Sequence, residues 1–317
     1  MTAYMARRVR FRNGERHSVL QAPSGLPVHA VTVYLDRFRR KGRAANTIHF
    51  VCCSLALFYR HLAAMDVDLL PRLTSARFLT APELSRLASA AQFRADDFGD
   101  TGTAKSNVIH ISRMGLRKSS RNVGRQPVDV ATQASRLRYM ADYLAFISSY
   151  VGATLPSSMS RDLEGQTVRA LTAFREHIPE VSRRAKLDAR VGLSQAEQEH
   201  LLDVVHLDSP ENPWKRGFVR YRNWLIVVLL LATGMRRGEL LGLQIADLHP
   251  SQPKLRIIRR ADAPEDRRRV QPNTKTYDRE IELAPSIMRV LWSYINKERR
   301  GITAARAVPQ VIVSDEG

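Results

Sequence analysis

The chain has 317 residues, of which 50 are Lys or Arg and 31 are Asp or Glu, so its formal net charge is +19. A hydrophobic fraction of 44% is enough to build folded cores, which argues against wholesale disorder, and the length suggests about two domains. A charge of this sign and size indicates a polyanionic partner, with DNA or RNA as first candidates. The alternative is a basic protein with no nucleic-acid role.

The cysteines and the apolar segments bear on compartment. Cys52 and Cys53 are the two cysteines of the chain. Adjacent cysteines rarely form a disulfide and two cannot complete a zinc site, so we interpret them as core residues in a reducing compartment. The longest apolar run, Trp224–Ala232, is too short to cross a bilayer, and residues 1–18 lack the apolar segment of a signal peptide. We therefore expect a cytoplasmic protein with no metal and no membrane partner.

The first 66 residues divide into an arm and a helical hairpin. Residues 1–26 are basic and irregular, which is typical of a flexible arm or equally of a disordered end without a role. Apolar residues then recur at helical spacing on both sides of Gly42, which predicts two helices joined by a short turn. That turn contains four basic residues that could contact DNA: Arg39, Arg40, Lys41 and Arg43.

The next segment, as far as residue 185, is predicted to be helical with one basic interruption. Thr80 and Glu83 have the spacing of a capping box at a helix start. Residues 101–128 contain no acidic residue and could track phosphates, or could equally be a solvated loop. The basic residues that we select there are Arg117, Lys118 and Arg121. Because core periodicity lapses in the basic stretch at 183–186, we place a domain boundary between residues 185 and 186.

The remaining residues, 186–317, predict a second domain with helices and a small sheet. Ser194 and Glu197 form a second capping box, and Trp224–Ala232, apolar on all sides, predicts a helix central to the core. Gly234 stands where helices often end with positive φ. Two β-prone segments, at 255–258 and 279–283, follow, and Ser286 is predicted to cap the next helix. The expected fold class is therefore mainly α with a small antiparallel sheet.

The segment Ala232–Leu248 contains Thr-Gly-Met-Arg, then Glu-Leu, then an Asp. This pattern resembles the first signature box of the tyrosine recombinases, or phage integrases, with Met235 in place of the usual Leu. Lys275 followed by Arg279 resembles the hairpin that carries the active-site lysine of that family. Residues 27–66 resemble its core-binding domain, and Val311–Ser314 resembles the segment that leads to its second box.

The resemblance implies a fold, a reaction and a set of site residues. The fold would be a basic arm at 1–26, a helical, SAM-like core-binding domain at 27–185 and a partial catalytic domain at 186–317. The reaction is site-specific cleavage and rejoining of double-stranded DNA through a 3′-phosphotyrosine, with no cofactor. Arg236 would bind the scissile phosphate and Lys275 would protonate the leaving oxygen. Glu239 and Asp247 would support them, and members usually act as homotetramers on paired sites.

The second signature box, His-x-x-Arg, has no counterpart after Arg236, where the one histidine is His249. Tyr277 and Tyr294 are the later tyrosines, and we interpret both as structural rather than as the nucleophile. We therefore expect a catalytic domain that is incomplete at its C-terminus and a chain that is inactive by itself. A non-catalytic DNA-binding module that competes for recombination sites is the alternative. An RNA-binding protein is a third hypothesis, but no RRM, KH or zinc-knuckle pattern occurs in the sequence.

Overall fold

The computed structural model describes residues 3–94, 126–181, 192–215, 217–272, 274 and 277–316. The described chain is mostly helical with two small antiparallel sheets, as the predicted fold class requires. It divides into two compact units. The first is Met1–Val9 with His17–Arg184, and the second is Arg10–Arg16 with Ala185–Gly317.

The first unit is a helical assembly with a β-hairpin at its N-terminal end. Its elements are β1 (Met5–Arg10), β2 (Arg16–Gln21), α1 (His29–Arg40), α2 (Ala45–Ala64), α3 (Leu69–Thr74), α4 (Ala81–Ala90), α5 (Val130–Gly152) and α6 (Ser157–Arg175). The predicted helical hairpin corresponds to α1 and α2, and the Thr80–Glu83 capping box forms at the start of α4. Helix α5 packs against α1, α2, α3 and α6, so it forms the centre of this core.

The irregular conformation predicted for residues 1–26 is wrong for residues 5–21, because β1 and β2 pair as a hairpin. The sequence of β2 shows no alternation of apolar and polar residues. Its buried positions are Arg16, Ser18 and Leu20, and only Leu20 is apolar. The turn between the strands needs glycine. Gly14 has φ +89°, and a Cβ there would lie 2.6 Å from Cα of Pro264 in the second unit, to which this turn belongs.

Helix α2 is apolar because it crosses the first core. By length and composition Ala45–Ala64 could cross a membrane, but half of that window is buried inside the protein. Tyr59 of α2 and Tyr143 of α5 are both buried, and their hydroxyls form a 2.6 Å hydrogen bond. Burial raises the pKa of Tyr59 to about 12, so the pair stays neutral. Cys52 is buried as predicted, whereas Cys53 is exposed.

The second unit combines helices with a two-stranded sheet. Its elements are α7 (Gln195–Val205), α8 (Phe218–Thr233), α9 (Arg237–Gly242), β3 (Lys254–Ile257), β4 (Arg279–Glu282) and α10 (Pro285–Tyr294). Strands β3 and β4 pair antiparallel, with Leu255 opposite Ile281 and Ile257 opposite Arg279. The Ser194–Glu197 capping box begins α7.

Two details of this unit differ from the sequence-based expectation. Within α8, only Leu225 and Leu229 are fully buried, so the helix packs along one stripe instead of on all sides. Helix α10 is capped by Ala284 rather than Ser286, because Pro285 occupies its first turn, where a missing N–H costs nothing.

Candidate functional site

The connection between α8 and α9 turns one arginine outward. Gly234 ends α8 with φ +60°, and its N–H donates to the Leu230 carbonyl at 3.0 Å. Met235 is then buried, and Arg236 has extended backbone at the N-cap of α9. As a result the Arg236 side chain is 60% exposed. Helix α9 has six residues, so the charge at this place comes from side chains more than from a helix dipole.

The carboxylate of Glu239 is fully buried beneath this connection and organises it. It accepts the Arg236 backbone N–H at 3.0 Å and two hydrogen bonds from the Arg279 guanidinium, at 2.8 and 3.2 Å. Nη1 of Arg236 lies farther away, 3.6 Å from Oε1. Glu239 therefore fixes Arg236 mainly through its backbone, and Arg279 satisfies the buried charge. Much of the Arg236 guanidinium is left to face solvent.

Arg279 is the residue of this site that the sequence reasoning missed. It begins β4, and its hydrogen bonds to Glu239 raise its pKa above the ordinary value, so it is always charged. Two arginines surround one carboxylate, so the cluster Arg236–Glu239–Arg279 keeps a net positive charge. The available signal was the alternation of β4, which places Arg279 and Ile281 on one face of the strand.

Asp247 contacts Arg260, and its supporting role at the site stays a prediction. It is buried in a short 3-10 turn and accepts the Gln244 backbone N–H at 2.8 Å. Its two oxygens also accept a fork from Arg260, at 2.9 and 2.5 Å. Backbone bonds from Ile245 to Pro309 and from Val311 to Leu243 pair this turn with the C-terminal segment. Asp247 thus stabilises the 3-10 turn that follows α9.

A third buried carboxylate, Asp266, is also held by arginines. Burial would raise its pKa, but hydrogen bonds from Arg268 and the nearby Arg16 charge hold the pKa below its ordinary value. Arg16 is almost completely buried and donates to the carbonyls of Gly14, Asp266 and Arg268 and to the Gln271 side chain. These hydrogen bonds lie within the second unit, to which Arg16 and the turn at Arg10–Arg16 belong.

The basic turn between α1 and α2 is exposed, as DNA contact would require. Arg40 forms an exposed ion pair with Asp36, at 2.6 Å. Lys41 is the C-cap of α1, Gly42 follows with φ +66°, and Arg43 donates its backbone N–H to Phe38 at 3.0 Å. The side chains of Lys41 and Arg43 are exposed, and Arg39 is half-buried.

Four of the predicted site residues, Lys275, Arg117, Lys118 and Arg121, lie outside the described residues, so their roles stay predictions. The two later tyrosines differ from each other. Tyr294 is buried in the second core, and burial raises its pKa to about 12. Tyr277 is 95% exposed, so its side chain does not contribute to a core. Within the described ranges, no group of three or more His, Cys, Asp or Glu could hold a metal ion.

Comparisons with known proteins add little to this geometry. No family model matches the chain, and no curated protein matches it. One solved structure, that of XerA recombinase, is similar at 14% sequence identity over 90% of this chain and 68% of that chain, with a TM-score of 0.27. A score this low carries no argument about function. The functional assignment rests on the residues themselves.

Proposed function

We propose that the chain binds double-stranded DNA as a site-specific recombinase of the tyrosine type, with Arg236 directed at the scissile phosphate. The observation that carries the proposal is the cluster Arg236–Glu239–Arg279. Its buried carboxylate is satisfied by Arg279, which leaves the exposed Arg236 fork available to an anion. A planar guanidinium can contact two phosphate oxygens at once, and the net charge of +19 favours a nucleic-acid partner.

In the reaction of tyrosine recombinases, a tyrosine hydroxyl loses its proton to solvent as its oxygen bonds to phosphorus, and the bond from phosphorus to the 5′-oxygen breaks. We assign neither Tyr277 nor Tyr294 as that tyrosine. Negative charge develops on the non-bridging oxygens, where Arg236 donates its hydrogen bonds. A preorganised donor of this kind is worth about 3 kcal/mol in the transition state. Lys275 transfers its proton to the departing 5′-oxygen. Arg279 is a positioning residue, since it acts on Glu239 and through it on Arg236.

The same residues also suit a non-catalytic module, because the 317 residues contain no His-x-x-Arg after Arg236. For this chain by itself we expect duplex binding without a covalent adduct. A nicked suicide substrate that traps covalent protein on DNA tests this expectation. A trapped adduct that Tyr277→Phe abolishes would show that the exposed Tyr277 is a nucleophile, and our interpretation of that tyrosine would be wrong.

The phosphate contact can be tested without the covalent step. A duplex site is selected from random DNA with the chain, and each phosphate is then replaced in turn by a neutral methylphosphonate. Arg236→Ala should weaken binding by about 1.5–3 kcal/mol, roughly 10- to 150-fold. On the DNA in which the phosphate bound by Arg236 is neutral, Arg236→Ala should cause little further loss of affinity, because the charge that Arg236 contacts is already absent.

Arg237→Ala is the matched control, since Arg237 is the adjacent exposed arginine on the same short helix. The loss of binding free energy caused by Arg237→Ala should be the same on every methylphosphonate DNA as on the unmodified duplex. If Arg237 instead couples to a single phosphate and Arg236 to none, the assignment of the phosphate-binding arginine is wrong. If neither substitution changes duplex affinity, the proposed function fails.

A further inference from the structure

An open groove of 1120 Å³ lies between α1 and α5 in the first unit. Its volume exceeds the 300–1,000 Å³ or so that is typical of small-molecule pockets, so it has room for several linked groups of a chain. We call it the α1–α5 groove. It is far in sequence from Arg236, and none of its lining residues belongs to the cluster Arg236–Glu239–Arg279.

Stacked rings form one wall of the groove. Phe146 and Tyr150 lie one turn apart on α5, with ring centroids 5.7 Å apart and an angle of 30° between their planes. The guanidinium of Arg37 lies 5.0 Å from the Phe146 centroid. Tyr150 ends this stack and is 44% exposed, which leaves part of its surface available to another flat group.

Charge on the groove is mostly positive. Arg37, Lys41 and Arg43 line it, and Asp142 is the one acidic residue among its lining residues. Within the described part of the chain, none of these three cations forms an ion pair, in contrast to Arg40 on the same helix, which is paired with Asp36. Cations that form no ion pair within the described residues, beside an exposed aromatic side chain, favour a ligand that carries both anions and flat rings.

We propose that the α1–α5 groove binds single-stranded DNA, with a base stacked on Tyr150 and phosphates contacted by Lys41 and Arg43. This inference rests on the proposed function for its choice of DNA. A single strand presents both base faces and phosphates, and stacking on aromatic side chains combined with basic grooves is how such strands are bound without sequence preference. A duplex keeps its bases stacked inside, so it can use the cations but not Tyr150.

Fluorescence anisotropy with a labelled oligothymidylate of about 15 nucleotides tests the groove. Tyr150→Ala should weaken single-strand binding by about 5- to 150-fold, the loss expected for one base stack, and Tyr150→Phe should retain it. Affinity for a selected duplex should be the same in all three proteins. Lys41→Gln should lower the slope of log affinity against log salt by about 0.7, and Arg138→Gln, an exposed α5 arginine outside the groove, should not.

Other outcomes overturn the inference. If Tyr150→Ala binds oligothymidylate within twofold of the wild type while remaining folded by circular dichroism, the groove does not bind bases. If Tyr150→Ala instead changes the sedimentation coefficient, the groove is a contact between two copies. Tighter binding of oligouridylate identifies RNA as the occupant. If the wild-type chain binds oligothymidylate but no selected duplex, the proposed function fails and the groove inference stays in place.

Discussion

Glu239 is the residue on which both arginines of the cluster Arg236–Glu239–Arg279 depend. A carboxylate with no exposed surface is costly unless its hydrogen-bonding capacity is filled, and Arg279 fills most of it. Arg236 then needs only its backbone N–H and a longer contact at 3.6 Å. This division of roles explains how one arginine can stay exposed directly above a buried acid.

Replacement of Arg279 by methionine should therefore destabilise the second unit. The Arg279 side chain is 35% exposed, which moderates the loss, and we expect about 1–3 kcal/mol in urea unfolding at neutral pH. Glu239→Gln in the same chain should recover part of that loss, because no unpaired buried charge remains. Arg237→Met, at an exposed position, is the matched control and should change stability by less than about 0.5 kcal/mol.

Additive effects of Arg279→Met and Glu239→Gln would contradict this account of the cluster. The sequence motif identified Arg236 and Glu239, since their spacing is local to one short helix. It could not identify Arg279 as the partner of Glu239, because 40 residues separate them and the pairing exists only after the β3–β4 hairpin approaches α9.

Among the elements, β2 and α2 meet at a titratable contact. His49 of α2 lies between the Ser18 hydroxyl, 3.0 Å from Nδ1, and the Cys53 sulfur, 3.5 Å from Nε2. Burial, and then the nearby Arg8 charge, lower the pKa of His49 to about 4. The folded state therefore binds fewer protons than the unfolded chain, in which histidine titrates at about 6.5.

The free energy of unfolding of the first unit should fall as pH decreases from about 6.5 to about 4. The contribution is fully present above about pH 6.5 and is lost as pH falls towards 4, at a cost of about 1–2 kcal/mol after discounting for partial exposure. Urea unfolding at several pH values measures it. His49→Gln should flatten the dependence between pH 6.5 and 4.5 or so, because glutamine does not titrate. An unchanged slope in that variant would show that another group causes the effect.

Elements with local signals were predictable, and the N-terminal hairpin was not. Capping boxes at Thr80 and Ser194 identify helix starts from four residues alone. Strand β2 buries Arg16 and Ser18, so its inward face looks polar in sequence. Arg16 can be buried because the carbonyls of Asp266 and Arg268 accept its hydrogen bonds, and these carbonyls reach it only in the folded chain.

For the whole molecule, the net charge of +19 should dominate non-specific duplex binding. Seven basic residues outside the cluster Arg236–Glu239–Arg279 are predicted to contact DNA: Arg39, Arg40, Lys41, Arg43, Arg117, Lys118 and Arg121. If each neutralises one phosphate, log affinity should fall against log salt with a slope of about −6.

Replacement of the four basic residues at 39–43 by glutamine should reduce that slope by about 3.6. Four glutamine substitutions at exposed arginines of the same unit, away from this turn, give the comparison at equal net charge: Arg77, Arg138, Arg161 and Arg169. An equal change of slope in both variants would mean that total charge, and not this turn, governs binding.

Local patterns were sufficient for the two capping boxes and the left-handed Gly234. Each of these depends on residues within about one helical turn, where backbone geometry and side-chain spacing leave few arrangements. The Glu239–Arg279 pair, the buried Arg16 and the α1–α5 groove required the folded chain. They join residues 40 to more than 200 positions apart, and no local preference selects such pairs before the core has formed.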